Sequence, residues 1–315
     1  MLRGLYTAAS GLTANQRRHD TLTNNIANMN TPGFKQVTPV ARSFPEMLIA
    51  LTQGEDAKSI GRINTGVFIE ESLPLFTQGD LIETANSGDL AIVSNIRVAE
   101  EVDGELVEIP FDESGKGVNQ DGDIVYQPQA FFTLQNEAGE ERYTRIGKFM
   151  VNGEGELVTL NGDRLIGRDE QPISFEGASI AGLPPEVEQP NVISLDQVRV
   201  GADGSMYDAG TGLPIVDAAG NPIALRIAQV DNPNRLIREG SGNYRLDNPE
   251  DNPPEQVPNL AQISIEQGFI ERSNVDATQS MIDLMAAQRA YEANQRMVQY
   301  YDRSLEKAVN EIGRL

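Results

Sequence analysis

An α+β fold is expected, with a discontinuous helical coiled-coil unit built from both chain ends and an all-β domain between them. Residues 1–38 and 275–315 carry helical apolar periodicity, whereas from about residue 60 to 250 Gly, Pro, Asn and Asp interrupt short β-rich runs. A Thr31-Pro32-Gly33 break separates the first pattern from the second. The expected division is 1–38 and 275–315 as the helical unit, 39–75 and 247–274 as connecting segments, and 76–246 as the β domain, with an acidic insertion at about 93–130.

The first helix is counted from Leu2. Steps of three and four reach Leu2, Leu5, Ala9, Leu12, Gln16, His19, Thr23 and Ile26, with Leu22 beside the seam. It should stop near Met29, because Thr31 precedes a proline, Pro32 lacks an N–H, and Gly33 is free to take positive φ. Arg42 to Thr52 reads as a short helix opening at Pro45. Phe131 to Leu134, Glu156 to Leu160 and Ala224 to Ile227 read as strands. Asn152-Gly153 and Asn161-Gly162 read as tight hairpin turns. Asp247 to Pro258 holds four prolines in twelve residues and reads as an extended connector.

The last helix has one wholly apolar row, Leu284, Tyr291, Val298, Leu305 and Ile312. A second row counted from Met281 is broken by Gln288, Gln295 and Asp302, and polar seam positions select register and partner at some cost in stability. Periodicity leaves two readings open, a hairpin closing one domain or a seam made with other chains.

Charge is unevenly distributed. Residues 1–38 hold Arg3, Arg17, Arg18 and Lys35 against Asp20, for +3, and residues 275–315 hold five basic and six acidic side chains, for −1, so a total of −22 leaves −24 on residues 39–274. An acidic surface argues against nucleic acid, whose phosphates require Lys and Arg. The chain has no cysteine and one histidine, which leaves no support for a His/Cys zinc set, a Cys–His dyad or a Ser–His–Asp triad. His19 and Asp20 are adjacent, so on a helix their side chains diverge. Asn119, Asp121 and Asp123 imitate the start of a calcium loop, but its twelfth position is Ala130 rather than Glu. No phosphate-binding or complete dinucleotide loop is present, and no catalytic residue, cofactor or metal is assigned. No apolar run approaches a membrane span, and the first thirty residues lack a signal peptide's apolar core; composition alone would read as cytoplasmic.

Two blocks carry a family resemblance. The N-terminal one contains Asn24, Asn25, Ala27, Asn28, Met29, Asn30, Thr31, Pro32, Gly33, Phe34 and Lys35. The C-terminal one contains Ser273, Asn274, Val275 and Asp276, followed by Gln288, Arg289, Ala290, Tyr291 and Glu292. Together, in this order at opposite ends, they resemble the signatures of the bacterial flagellar axial proteins of rod and hook. Segments 78–81, 89–92, 142–167 and 232–246 agree, so the resemblance spans most of the chain. Within the family, the opening residues, Gln16-Arg17-Arg18 and the Arg42 to Leu48 run look most like the rod-type hook-basal-body proteins of Gram-positive bacteria. A hook or proximal rod subunit is the alternative; a secreted β-rich enzyme or wall-binding module with a helical stalk is a reading from another class.

The resemblance implies a structural subunit of the flagellar basal body, outside the cytoplasmic membrane, without enzymatic activity or cofactor. It implies export, unfolded, through the flagellar type III apparatus. The implied partners are further copies and other rod and hook subunits, with neither nucleic acid nor membrane insertion. Self-assembly would use Leu2, Leu5, Leu12, Ile26, Leu284, Tyr291, Val298, Leu305 and Ile312. The chain departs from the family pattern in one place: about forty residues separate Ile92 from Phe131-Phe132, where similar proteins pass almost directly from one to the other.

Overall fold

The computed structural model describes residues 2–51, 58–70, 72–94, 96–102, 105–112, 114–181, 193–247, 255–256 and 262–312. Two terminal helices flank a β-rich middle, the α+β arrangement expected. The chain divides into two compact units, one of residues 1–29, 36–74 and 275–315, the other of residues 30–35 and 75–274.

The first unit contains both long helices, α1 (Leu2–Ala27) and α2 (Ala277–Ile312). Residues 36–74 belong with them rather than forming a bare connector. They make antiparallel ribbons: Val37–Thr38 with Leu73–Pro74, Ala41–Ser43 with Val67–Ile69, and Met47–Leu51 with Lys58–Ile63. The helix expected over Arg42 to Thr52 is therefore corrected to strand, with Thr52 itself outside the described residues. A helix of two or three turns closes few internal hydrogen bonds for its nucleation cost, whereas the returning segment Lys58–Ile63 satisfies this backbone along a ladder. Phe44 and Phe68 stack at 5.2 Å beside it.

The second unit is organised by the strand Gln129–Gln135. It pairs antiparallel with Glu141–Thr144, Arg164–Leu165 and Ile227–Val230, and the sheet continues through Asn243–Leu246 to Leu236–Gly240. Successive side chains leave a strand on opposite faces. Ala130, Phe132 and Leu134 enter the larger core with Phe149, Leu157, Leu165 and Phe175, while Phe131 enters a second cluster with Phe76, Tyr143 and Tyr244. Burial on both faces is why this run is continuously apolar at its centre instead of alternating. Phe132 meets Phe149 edge to face at 5.1 Å, a favoured ring geometry.

Residues 247–274, expected as a connector, contribute strands to this unit. Ile263–Gln267 pairs with Leu90–Ser94, and Phe269–Glu271 pairs with Leu81–Glu83. Most of the proline-rich stretch lies outside the described residues; its Glu255–Gln256 pairs with Ile227–Val230.

The hairpins repeat one turn chemistry. At Asn152 the side-chain Oδ1 accepts from the Glu156 N–H at 2.8 Å, and Gly155 takes φ of 79°. The left-handed position is thus Gly155 rather than the Gly153 of the expected Asn-Gly pair. In the turn after Thr159, Gly162 occupies it at φ 90°. Asn119 repeats the arrangement, its Oδ1 accepting from the Asp123 N–H at 2.6 Å. This supplies a structural role for the residue that opens the calcium-like pattern.

The insertion consists of two small ribbons, Ala99–Val102 with Glu105–Glu108 and Lys116–Val118 with Ile124–Tyr126. Its limits are narrower than 93–130, because Val93 and Ser94 pair with Ile263–Gln267, Ile96 lies in the core, and Gln129 opens the central strand. Val118 and Ile124 face each other across their ribbon and are both 62% exposed. Deleting residues 99–125 is accordingly expected to leave the remaining β unit soluble with a cooperative thermal transition, since loop shortening changes closure entropy by only about 1 kcal/mol. Loss of that transition in a melting curve would make the segment part of the core.

Candidate assembly site

The helical pair is positioned by its own ends. Asp276 caps α2, its Oδ1 accepting from the N–H groups of Thr278 at 2.8 Å and Gln279 at 3.0 Å, two of the donors a helix start leaves unsatisfied. In the last turn of α1, Asn25 is fully buried and grips the backbone of Val37 twice: Nδ2 donates to its carbonyl at 2.8 Å and Oδ1 accepts from its N–H at 3.0 Å. Asn28 donates from Nδ2 to the Asn24 carbonyl at 2.8 Å, closing the last turn before Thr31. Asn24 and Ala27 are themselves exposed.

Between α1 and α2, Ala14, Leu22 and Ala287 are buried, at 7%, 5% and 2% exposure. Leu5, Leu12, Ile26, Leu284, Tyr291, Val298 and Leu305 are half-buried. The side chains of Leu2 and Ile312 lie outside the described residues.

The second row of each seam requires correction. Ala9, Gln16 and Thr23 are exposed, as are Met281, Gln288, Gln295, Asp302 and Val309. The seam's other row runs instead through Ala8, Asn15 and Leu22 on α1 and through Ala287, Asn294, Tyr301 and Ala308 on α2. Small residues decide this phase, because they allow two helices to approach while larger ones fill the space opposite. Tyr301 packs over Gly4, and a Cβ at Gly11 would stand 2.9 Å from Asn294 Nδ2. Hydrophobic counting ranks such positions low, so the count settled one residue away.

Beside the seam lies an open groove of about 470 Å³, lined by Gln16, His19 and Asp20 of α1 and by Gln288, Tyr291, Glu292 and Gln295 of α2. His19 Nδ1 and Asp20 Oδ1 are 3.8 Å apart and both side chains are well exposed, a surface contact without the hydrogen bond of a catalytic pair. Beyond the groove, α2 exposes Met281, Ile282, Met285, Met297 and Tyr300. Arg289 is also exposed.

The remaining motif residues are embedded in the β unit. Asn30 is exposed and Pro32 half-buried, while the Thr31 carbonyl accepts from the Phe34 N–H at 3.3 Å. Gly33 takes φ of 67° and donates to the Glu271 carbonyl at 2.8 Å. A Cβ there would stand 2.6 Å from the Arg145 backbone, so both its space and its conformation demand glycine. Phe34 is buried under the Arg238 guanidinium, 4.3 Å from the ring centre. Ser273 is half-buried, and Asn274 Nδ2 reaches the Leu75 carbonyl at 2.8 Å and Thr77 Oγ1 at 3.0 Å. Val275 is half-buried where the chain enters the helical unit.

Sequence reasoning missed a buried charge cluster in the β unit. Lys35 Nζ donates to Glu271 Oε1 at 2.6 Å and to the Thr77 carbonyl at 2.9 Å. The same Oε1 accepts from the Gly79 N–H at 2.9 Å. Arg145 Nη1 stands 3.7 Å from Glu271 Oε2, an ion-pair distance rather than a hydrogen bond, and donates to the Ile92 carbonyl at 3.2 Å. Two cations thus share one carboxylate, all at most 2% exposed. Lys35 and Arg145 stand in segments that carry the family resemblance, but no local signal joins Lys35 to a carboxylate 236 positions away.

Burial, and then the positive charge of Arg145, pushes Lys35 down to about 8 from 10.5, against the pull of Glu271. Burial alone would raise Glu271, yet Arg145, Lys35 and the Gly79 N–H hold it below the usual carboxylate range. The sign for Lys35 follows from linkage: between about pH 8 and 10.5 the unfolded chain keeps the proton the folded chain has lost, so this group's contribution to stability rises with pH. Wild type should therefore gain stability relative to Lys35→Met as pH climbs from 8 to 10 in denaturant titrations; a pH-independent difference would refute that shift.

Comparison with known proteins covers the same segments. Residues 5–35 match the flagella basal body rod protein family, residues 127–208 the flagellar hook protein FlgE/F/G D1 domain, and residues 266–311 the flagellar basal body rod FlgEFG protein C-terminal family. The chain is 31% identical over 320 residues to the flagellar hook-basal body complex protein FlhO of Bacillus subtilis (strain 168), covering 100% of both. It is 26% identical over 323 residues to the flagellar basal-body rod protein FlgG of Borreliella burgdorferi, covering 98% of both. It is 26% identical over 322 residues to the flagellar basal-body rod protein FlgF of Caulobacter vibrioides, covering 100% of both.

Proposed function

This chain belongs to the bacterial flagellar basal-body rod and hook family, and on that premise we propose that it polymerises through its two terminal helices with further copies and with other axial subunits. It is a structural subunit of the flagellar basal body. The observation that carries the assembly reading is the outward face of α2. Met281, Ile282, Met285, Met297 and Tyr300 are each about half exposed or more, on a helix whose seam with α1 is already filled. Apolar side chains aligned along a helix find their burial against another subunit. A Leu or Met side chain taken fully out of water contributes on the order of 2 kcal/mol, and repetition in every subunit makes such terms add.

The currency of this function is buried area rather than a reaction. The seam of the helical unit would make the inner layer, and its termini carry little net charge, which limits repulsion between copies. Passage through the type III export apparatus, which requires an unfolded chain, is consistent with the absence of cysteine. Among the described residues no helix is long and apolar enough to cross a membrane. The reading assigns no catalysis and no membrane insertion. Reconstruction of isolated basal bodies carrying a labelled copy of this chain tests it: density for the label in the rod or hook-basal segment is expected, and a label confined to the cytoplasm would overturn it.

A further inference from the structure

Two apolar patches stand at opposite ends of α2. We infer that the last turns of α2 in one copy lie against the first turns of α2 in a neighbouring copy, so that Val309 of one covers Met281 and Met285 of the next. This rests on the assembly reading above and specifies which surfaces meet.

One stripe of α2 is exposed along its whole length. Counted by fours and threes, it starts at Met281 and Met285 and finishes at Val309. Between them it is polar at every step: Gln288, Glu292, Gln295, Gln299, Asp302 and Glu306. Met281 and Met285 are 49% and 53% exposed, Ile282 beside them 50%, and Val309 71%. The polar middle keeps its water, so burial is gained only at the two ends. These ends do not cover each other within one molecule, because four heptads of continuous helix hold Met281 and Val309 roughly 42 Å apart.

The final turns are also where α2 outruns its partner. Within the seam the two helices run antiparallel: Arg18 stands 3.7 Å from Asp283, Gly11 lies against Asn294, and Gly4 against Tyr301. α1 begins just beyond, at Leu2, whereas α2 continues to Ile312, an overhang of roughly 13 Å. The seam row runs on from Leu305 through Ala308 to Ile312, so the interface made with α1 continues past the point where α1 ends. The start of α2, by contrast, has α1 alongside and offers only its outer side. A protruding end and a flanked start are different surfaces. End against end would leave Met281 and Met285 in water, and start against start would leave Val309 there; end on start covers both with one operation. Such a contact is heterologous and repeats from copy to copy instead of closing as a twofold dimer. Unbranched methionine side chains suit the receiving patch, since they shape themselves to an incoming helix.

Because the chain has no cysteine, thiols can be placed at the two patches and nowhere else. Met281→Cys/Val309→Cys in the full chain, expressed as the cell's sole copy, is treated in purified basal bodies with a short bismaleimide and run on a denaturing gel. A ladder of dimers, trimers and longer products is expected, since each copy supplies one end and one start and the two thiols of one molecule are too far apart to be bridged. Each single variant should stay monomeric. Dimers from either single variant would indicate a twofold contact, and a double variant without a ladder would mean that the patches do not meet; either overturns the inference and leaves the assembly reading standing. Val309→Lys gives a second reading that needs no crosslink. The side chain is at the surface and a cation suits a helix C-terminus, so the circular dichroism melt should match wild type while the amount in basal bodies falls about tenfold. A wild-type amount would overturn the inference alone, and absence of the unsubstituted chain from basal bodies would overturn both.

Discussion

Glu271→Gln is expected to cost the β unit roughly 3–5 kcal/mol, the range for removing one partner of a buried ion pair. The substitution keeps the shape and an oxygen that can still accept from Lys35 and Gly79. What it removes is the negative charge that holds two buried cations together, Lys35 at 2.6 Å and Arg145 at 3.7 Å. Lys35→Met should cost less, because Glu271 then retains Arg145 and the Gly79 N–H. Urea titrations of the two variants, followed by far-ultraviolet circular dichroism, give the order directly. A Glu271→Gln variant within about 1 kcal/mol of wild type would mean that the cluster is not carrying its charges as described.

Leu284→Asp and Leu305→Asp are expected to abolish incorporation into the basal body while leaving the β unit folded. Both leucines are half-buried in the row of α2 that meets α1, with Tyr291 and Val298 between them. A carboxylate in that row must be desolvated among the apolar side chains of the seam, at a cost of roughly several kcal/mol. The β unit has its own core around Phe132, Phe149 and Leu165, none of which belongs to the helical unit. Motility and basal-body content equal to wild type would refute the seam; loss of the β unit's transition in the same variants would show that the two units do not fold independently.

Several features were legible because they are local. The two helices follow from apolar residues at helical spacing, and the end of α1 from the conformational limits of Thr31, Pro32 and Gly33. The β character of the middle follows from regularly placed turn residues; Asn152 and Gly162 sit in turns because an Asn side chain can replace a backbone acceptor and a glycine can take positive φ. The family was legible in two contiguous blocks, since Asn25, Gly33, Asn274 and Asp276 each perform a backbone-fixing task that only those residue types perform well.

Three features awaited the tertiary structure, and each depends on a partner distant in sequence. Met47–Leu51 became a strand because Lys58–Ile63 returned to pair with it; alone, the segment carries a pattern that a short helix shares. The phase of the seam was set by Gly4, Gly11, Ala14 and Ala287, whose smallness matters only when Tyr301 and Asn294 arrive opposite. The cluster of Lys35, Arg145 and Glu271 joins residues from three remote segments, and each reads singly as a surface charge. Periodicity and turn propensity act over a few residues and so are written along the chain, whereas burial of a charge or close approach of two helices is a property of what the fold brings alongside.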